Sequence, residues 1–247
     1  MKVFICLDDT DNLNSVGTGK LAAQLADQIE NQGWGSCRFV SRHQLLVHPD
    51  IPYTSHNSAM CFSAMIKDRA LEEIIHYAGH FLERESAPGS DPGLCVVVEN
   101  ELVNPNFLIA FGRSAKKQVL SKEAAYNLAR RLGVHLSEHG GTGQGVVGAL
   151  AGVGLRLEGN DGRIKGRLEV ASAGSAVRAD FLSSLPQVEE LRSLAGGPIR
   201  GRDLVRIGEK VKMVLLGGKA VLLLDPSGEN DGKVRWRTVP RSALNDY

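Results

Sequence analysis

The sequence predicts a mixed α/β (α+β) fold, and three observations carry that prediction. Residues 3–7 are an apolar run, followed by an acidic loop and then by apolar residues at helical spacing. Strand-like and helix-like segments alternate as far as about residue 160. Beyond that point, short β-branched and apolar runs separated by glycine pairs predict hairpins. We therefore expect a region over residues 1–160, a βαβ subdomain within it near residues 58–100, and a second α+β region over 161–247 that ends in a small β-rich appendage.

The first half of the chain supplies most of the predicted elements. Residues 3–7 predict a strand, and apolar spacing predicts a helix over 17–32, with Gly33 where that helix would end. Residues 36–47 predict a second strand, which the prolines after it stop. A strand over 59–66, a helix over 69–83 and a strand over 93–99 form a β-α-β unit, which is typical of a ferredoxin-like or small α/β subdomain.

The second half begins with a short apolar run over 107–112. Ser121 predicts the cap of a helix that reaches Leu132, with Gly133 as its terminator. The small residues over 139–154 predict a glycine loop that opens a tightly packed helix. Further on, a strand is predicted over 163–170, a weak helical pattern over 171–185, a linker at 196–198, and short strands over 211–216, 220–224 and 234–239.

Composition excludes several classes of protein. Of the 247 residues, 43% are hydrophobic and 23% charged, which are ordinary globular values. The formal net charge of +1 provides no overall field for nucleic acid or membrane, so such contacts would need a local patch. No signal peptide and no apolar run of about 18 residues is evident, so we expect a soluble cytoplasmic protein without a membrane partner. The four cysteines lack C-x-x-C spacing and predict buried free thiols.

The acidic loop is the most informative stretch. Asp8, Asp9 and Asp11 follow a strand, and carboxylate oxygens there suit Mg²⁺. Backbone N–H groups at the following helix N-terminus suit phosphate oxygens. The alternative is turn and N-cap chemistry, because short Asx side chains bond to nearby backbone. The residues that we assign to nucleotide binding near this loop are Thr10, Asn12, Gly17, Thr18, Gly19 and Lys20.

Other patterns give weaker signals. The Gly-Lys pair at residues 19–20 is no Walker motif, because Asn14 and Leu21 stand where a glycine and a hydroxyl belong. The pattern H-x-x-E-H formed by His135, Glu138 and His139 predicts zinc hydrolysis only if it lies on a helix. Its flanking glycines disfavour that helix.

The C-terminal segment allows a different function. From Arg200 onward, ten residues are basic and six are acidic, and Trp236 stands between Arg235 and Arg237. These side chains could contact RNA phosphates and stack a base, or they could be the solvated face of an edge strand.

Three stretches together resemble the archaeal tRNA(Ile) agmatinylcytidine synthetases. They are residues 5–12 with the following Gly17-Thr18, the loop from Pro49 to Asn57, and the glycine-rich stretch that ends over 146–151. The similarity covers roughly residues 1–160. The resemblance implies an ATP-dependent kinase-like domain beside a ferredoxin-like domain, and an activity that uses ATP to activate a cytidine carbonyl before agmatine attacks.

The resemblance also implies roles for particular residues. Asp8, Asp9 and Asp11 correspond to the Mg²⁺–ATP carboxylates, and Thr18 to a threonine that can accept phosphate. The family loop with Lys-Thr-Arg-Gly-Asn is replaced here by Thr54-Ser55-His56-Asn57, which lacks both cations, so Lys116, Lys117 or Lys20 would have to meet the phosphate charge. The C-terminal OB and zinc-ribbon regions of the family, which grip tRNA, are not evident in the sequence.

The sequence therefore predicts a Mg²⁺–ATP-dependent phosphoryl- or nucleotidyl-transfer enzyme, with tRNA cytidine as one candidate acceptor. A non-catalytic nucleotide- or RNA-binding protein of the same fold is the alternative, and the formation of homo-oligomers stays open. Catalysis of this kind depends mostly on charge neutralisation and positioning. Further nucleotide-binding residues are predicted in the loop at Asn57 and in the glycine loop, namely Gly140, Gly141, Thr142, Gly143 and Gly145.

Overall fold

The structure is a computed structural model and describes residues 1–51, 57–228, 233–245 and 247. These residues form two compact units, Met1–Glu158 and Gly159–Tyr247. The predicted mixed α/β class is confirmed, since the described residues include both a wide set of β-strands and six α-helices. No helix among the described residues is long and apolar enough to cross a membrane.

The first unit is an antiparallel sheet with helices on both faces. Its strands are β1 (Lys2–Asp8), β2 (Gly35–Cys37), β3 (Ser41–Gln44), β4 (Ser58–Ile66), β5 (Gly93–Val98) and β6 (His135–Glu138). Its helices are α1 (Thr18–Asn31), α2 (Leu71–Glu85), α3 (Asn106–Ala115), α4 (Lys122–Leu132) and α5 (Gly145–Glu158). The strand order is β6-β5-β1-β4-β3, and β2 also pairs with β4. The predicted β-α-β unit is therefore split, because β1 lies between β4 and β5.

Strand β1 is buried on both faces, which explains its continuous apolar sequence. Val3, Ile5 and Leu7 pack in a cluster with residues of α1 and α2. Phe4 and Cys6 point to the other face and pack with residues of α3, α4 and α5. Each fully buried aliphatic side chain of this kind contributes roughly 1.5–3 kcal/mol. Packing on both faces therefore fixes β1 as far as its last residue, an aspartate, where the acidic loop begins.

The local signals at the helix ends are confirmed. Ser121 Oγ accepts a hydrogen bond of 3.1 Å from the backbone N–H of Ala124, which caps α4. Gly133 ends that helix in the left-handed conformation, at φ 65°. The glycine-rich stretch opens α5, as predicted. The prediction of buried free thiols is correct for Cys6, Cys61 and Cys95 and wrong for Cys37, which is a free thiol but partly exposed.

One segment of the first unit differs from expectation, and a second was left unassigned by its sequence pattern. Residues 36–47 form two short strands, β2 and β3, because the chain breaks its pairing between them while both remain partners of β4. The apolar run over 107–112 lies within α3, where its buried residues Leu108 and Gly112 face the core. A run this short is compatible with either helix or strand, so pattern alone does not assign it.

The second unit is a smaller, β-rich structure. Its elements are β7 (Arg163–Ile164), β8 (Ala176–Arg178), α6 (Ala179–Ser183), β9 (Glu190–Ser193), β10 (Leu204–Arg206), β11 (Val214–Leu216), β12 (Lys219–Pro226) and β13 (Val234–Thr238). The strands run in the order β7-β11-β12-β13-β10-β8, and β9 pairs with β12. Gly217 and Gly218 both adopt positive φ, which the two-residue hairpin between β11 and β12 requires.

The three short C-terminal strands were predicted, with bounds that differ by a few residues. The strand expected over 163–170 shrinks to two residues, and the weak helical segment over 171–185 contains both β8 and α6. The predicted linker at 196–198 lies between β9 and β10 inside this unit. Strands β9 and β10 carry too few apolar residues in alternation to be recognised from the sequence.

Candidate functional site

The end of β1 delivers a cluster of carboxylates to one place. Asp8 is the last residue of the strand and is 8% exposed. Burial, followed by the neighbouring Asp9 and Asp11 carboxylates, raises its pKa well above the ordinary value. In the absence of a cation, this site disfavours the charged form that a metal ligand must have.

Asp9 turns the chain away from the strand. It adopts φ 50°, and it is the one non-glycine residue with positive φ among the described residues. Aspartate tolerates this conformation better than most residues, although it costs free energy. Burial and then the charges of Asp91 and Asp11 raise the pKa of Asp9 to about 6. Backbone strain and a raised pKa on adjacent acids are common at functional sites.

A buried hydrogen-bond network ties this loop to the start of α1. The hydroxyl of Thr10 donates to Thr18 Oγ1 at 3.0 Å, and the Thr18 hydroxyl donates to Asp11 Oδ1 at 3.2 Å. Thr10 is fully buried and Thr18 nearly so. The Thr18 oxygen therefore faces a carboxylate that can accept its proton, at the N-terminus of a helix.

The three acids and Thr18 border a cavity of about 420 Å³. Six of the predicted site residues line it, namely Asp8, Asp9, Asp11, Thr18, Asn57 and Gly145. Residues 52–56 of the proline loop, including Thr54, Ser55 and His56, lie outside the described residues. The structure therefore brings together acids, a hydroxyl and an amide that are far apart in the sequence.

Glycines of α5 allow the helix to approach the acidic cluster closely. A Cβ atom added at Gly148 would lie 1.7 Å from Asp8 Oδ2. One added at Gly145 would lie 2.1 Å from the carbonyl oxygen of Asp91 and 3.1 Å from that of Asp8. Gly152 would meet Cys6 Sγ at 2.4 Å. This glycine face sets the helix directly on β1 and β5 and forms one wall of the cavity.

The glycine loop before α5 is held by other contacts. The Thr142 hydroxyl donates to Asp91 Oδ2 at 2.6 Å, and its backbone N–H also donates to that carboxylate. Lys122 Nζ donates to the Thr142 carbonyl at 2.9 Å. The predicted binding residues in this loop that do not line the cavity are Gly140, Gly141, Thr142 and Gly143.

Other predicted residues also lie away from the cavity lining. Asn12 performs turn chemistry, because its Oδ1 accepts from the Asn14 N–H and its own N–H donates to Ser15 Oγ. Lys20 is an exposed residue of the first turn of α1, and Lys116 follows the end of α3. Apart from the glycine loop, the predicted residues outside the lining are Thr10, Asn12, Gly17, Gly19, Lys20 and Lys116.

Sequence reasoning missed several cavity residues. The polar ones are Arg42, Asp50, Ser58, Gln118 and Gln144. The apolar ones include Leu45, Met60, Val119, Leu120 and Val147. Arg42 lies in a segment with strand character, and this is the signal that could have drawn attention to it. Because β4 pairs with both β1 and β3, Arg42 of β3 is separated from the acidic strand by one strand. The cavity lining thus combines carboxylates with apolar side chains.

The carboxylates do not form a preassembled metal centre. Among the described residues, no group of three or more His, Cys, Asp or Glu side chains converges in a way that could hold a metal ion. Asp8, Asp9 and Asp11 nevertheless share one cavity, and their mutual repulsion contributes to the raised pKa values of Asp8 and Asp9. A divalent cation would relieve that repulsion, so the donor set suits a hard metal ion such as Mg²⁺.

The structure contradicts the zinc interpretation. Residues His135–Glu138 form strand β6, so the helix that H-x-x-E-H requires is absent from this described segment. Ser137 Oγ lies within hydrogen-bond distance of both His135 and His139, while Glu138 pairs with Lys122. The two histidines and the glutamate therefore do not meet at one ligand position.

The structure excludes base stacking by Trp236, one of the two alternatives that the sequence left open for this segment. Its side chain is 4% exposed, and its indole N–H donates to Asp203 Oδ2 at 3.0 Å. Arg235 and Arg237 point to the exposed face of β13. Trp236 is thus a core residue that cannot stack on a base, while both arginines remain accessible.

Comparison with known proteins gives a consistent but partial match. No family model matches the chain. The isoleucine-tRNA 2-agmatinylcytidine synthetase TiaS of Archaeoglobus fulgidus is 30% identical over 165 residues, which is 64% of this chain and 37% of that protein. The chain therefore spans little more than a third of the length of this relative.

Solved structures agree with that match. The crystal structure of a tRNA fluorescent labeling enzyme has a TM-score of 0.55 and 27% identity, and the match covers 62% of this chain and 36% of that one. The complex of TiaS with its isoleucine tRNA and ATP has a TM-score of 0.55 and 26% identity, with the same coverage. The resemblance inferred from the three sequence stretches is confirmed.

Proposed function

We propose that this chain, a divergent relative of the tRNA(Ile) agmatinylcytidine synthetases that spans about a third of their length, binds ATP with Mg²⁺ in the cavity at the end of β1. The observation that carries the proposal is the hydrogen bond from Thr18 to Asp11 beside the carboxylates of Asp8 and Asp9. A nearly buried hydroxyl facing a carboxylate is suited to receive a phosphoryl group. One of the similar solved structures is a complex of TiaS with tRNA and ATP, which supports nucleotide binding by this chain.

The proposed roles follow from the chemistry of the side chains. Asp8, Asp9 and Asp11 would hold Mg²⁺, which would neutralise phosphate charge when bound. The Thr18 hydroxyl donates a hydrogen bond to Asp11, and the Thr10 hydroxyl donates one to the Thr18 oxygen, so both neighbours orient that oxygen. Gly145 and Gly148 keep the wall of α5 close to Asp8 and leave the cavity without side chains at these positions. Positioning and charge neutralisation are the main contributions that a protein makes to phosphoryl transfer.

We propose a cytidine of tRNA as the first acceptor to examine, because the curated relative is named for agmatinylcytidine formation in an isoleucine tRNA. The second unit offers the exposed Arg235 and Arg237 for phosphate contacts. Base stacking by Trp236 is not part of this proposal, since that side chain is buried.

Incubation with γ-labelled ATP and Mg²⁺ tests the proposal. We expect phosphate release or a label on the protein, with the label at Thr18 if this hydroxyl is the acceptor. Thr18→Val should remove the label, and Thr18→Ser should keep it because the hydroxyl remains. The proposal would be refuted by a protein that binds no ATP, releases no phosphate and takes up no label.

A second function, non-catalytic binding of nucleotide and RNA, is favoured by one observation, the exposed arginines of β13. It predicts ATP binding without turnover and RNA binding that weakens steeply with salt. Replacing Arg235 and Arg237 by glutamine should then reduce the slope of log K against log salt by roughly 0.7–0.9 for each phosphate that the variant no longer neutralises. A wild-type chain that hydrolyses ATP would exclude this alternative.

A further inference from the structure

The proposed nucleotide site has an unbalanced set of charges. Four carboxylates line the cavity among the described residues, those of Asp8, Asp9, Asp11 and Asp50. Arg42 is the single cationic side chain in the described lining. A bound triphosphate would therefore meet one guanidinium within an otherwise acidic and neutral cavity.

Strand pairing places Arg42 beside the acidic strand. Arg42 lies on β3 opposite Met60 of β4, and Met60 in turn lies opposite Leu7 of β1, the residue before Asp8. The guanidinium thus enters the cavity from a sheet strand. Side chains on strands are positioned more accurately than those on loops.

Two neighbouring side chains orient the guanidinium. Its Nε donates to Ser58 Oγ at 3.0 Å, and its Nη2 donates to Gln44 Oε1 at 3.0 Å. Both partners are neutral acceptors, and the two bonds orient the guanidinium at the cavity wall. Arginine carries five N–H donors in a rigid fork, which matches phosphate oxygens in a way that a lysine does not.

The lysines that the sequence suggested for this role are placed less favourably. Lys20, Lys116 and Lys117 are absent from the described cavity lining. Lys20 and Lys117 are exposed, and Lys116 follows the end of α3. A flexible lysine outside the cavity would lose more side-chain entropy on reaching a phosphate than an arginine already held at the wall.

We propose that Arg42 binds the phosphate chain of the nucleotide and is the main protein cation for it. This inference rests on the proposed function, because it assigns a residue within the same cavity. Loss of one charge-assisted hydrogen bond to phosphate should therefore weaken ATP binding by about tenfold or more.

The test compares ligands that differ in their number of phosphates. The affinities of ATP, ADP, AMP and adenosine are measured by calorimetry for wild type, Arg42→Gln and Arg42→Lys in the presence of Mg²⁺. Arg42→Gln should weaken ATP binding by about tenfold, weaken ADP less, and leave adenosine within about twofold. Arg42→Lys should be intermediate, because it keeps the charge and loses the fork.

Arg38→Gln is the matched control, since it removes the same charge from an exposed residue outside the cavity lining. It should bind ATP as wild type does. Unchanged ATP affinity in Arg42→Gln, or an equal loss for ATP and adenosine, would overturn the assignment of Arg42 while leaving the proposed function intact. A wild-type chain that binds none of the phosphorylated ligands would instead overturn the proposed function and this inference with it.

Discussion

At the scale of single residues, the folded chain without a bound cation disfavours the ionised form of the acids at the end of β1. Burial and like charges raise the pKa of Asp8 and bring that of Asp9 to about 6. A raised carboxyl pKa means that the folded chain binds protons which the unfolded chain releases. The stability associated with these groups is therefore present below the unfolded pKa and is lost as the pH rises through the folded pKa.

We expect the metal-free chain to lose stability between about pH 4, near the unfolded pKa of 3.8, and about pH 7, above the folded pKa of Asp9. Asp9→Asn should flatten this profile, because asparagine tolerates the positive φ and does not titrate. At pH 8 it should raise the melting temperature by roughly 2–4 °C, or about 1 kcal/mol after allowance for partial solvent screening. Thermal melting in EDTA across this pH range measures the effect.

Added Mg²⁺ should stabilise the wild-type chain more at pH 8 than at pH 5, because only ionised carboxylates bind the ion. A wild-type melting temperature that rises with pH throughout this range in EDTA would contradict the raised pKa values. An Asp9→Asn profile as steep as that of wild type would assign the effect to another group.

At the scale of elements, local sequence signals were sufficient where they act within a few residues. The cap at Ser121, the terminator at Gly133 and the apolar run of β1 each depend on neighbours along the chain, and each was predicted. Arg42 was missed because its proximity to Asp8 depends on two strand pairings. The glycines of α5 were recognised as a sign of close approach, but the atoms that they approach follow only from how the helix lies on the sheet.

Helix α5 provides an element-scale prediction. Gly148→Ala would place a methyl group where Asp8 Oδ2 lies, so either the carboxylate or the helix must move. Overpacking of this kind typically costs about 1–3 kcal/mol. We expect a lower melting temperature and a marked loss of Mg²⁺-dependent ATP binding, measured by thermal melting and calorimetry.

Gly17→Ala is the matched control for this substitution, because Gly17 was predicted from the sequence to bind nucleotide but lies outside the described cavity lining. Gly17 caps α1 with φ −69°, and a Cβ there would lie 3.6 Å from Asp11 Oδ2, an ordinary contact. ATP binding should survive in this variant. If Gly148→Ala bound ATP as well as Gly17→Ala does, the α5 wall would not define the position of Asp8.

At the scale of the whole molecule, the described cavity lining lies entirely within the first unit, Met1–Glu158. The sequence predicted the mixed fold class correctly, because alternating periodicities are a property of the chain itself. It did not predict β9 and β10 of the second unit, whose short strands are stabilised by pairing with β12 and β13 rather than by their own pattern. Strand pairing between distant segments is the feature of the fold that is hardest to predict from a single sequence.

A fragment of residues 1–158 should therefore fold cooperatively and bind Mg²⁺–ATP with an affinity within about threefold of the full chain. Circular dichroism on heating checks the folding, and calorimetry checks the affinity. The same fragment with Asp8→Asn should lose binding. A cooperatively folded fragment that binds no ATP, beside a full chain that does, would show that the second unit contributes to the site.

The most direct test of the Mg²⁺–ATP site at the end of β1 is calorimetric titration of ATP into the wild-type chain, once with Mg²⁺ and once with EDTA. We predict binding that requires Mg²⁺ and that weakens by at least about tenfold in an Asp8→Asn/Asp9→Asn double variant. Asp68→Asn should bind normally, because that carboxylate is exposed and lies outside the cavity lining. ATP affinity that is the same in EDTA, or the same in the double variant, would contradict the assignment of the site.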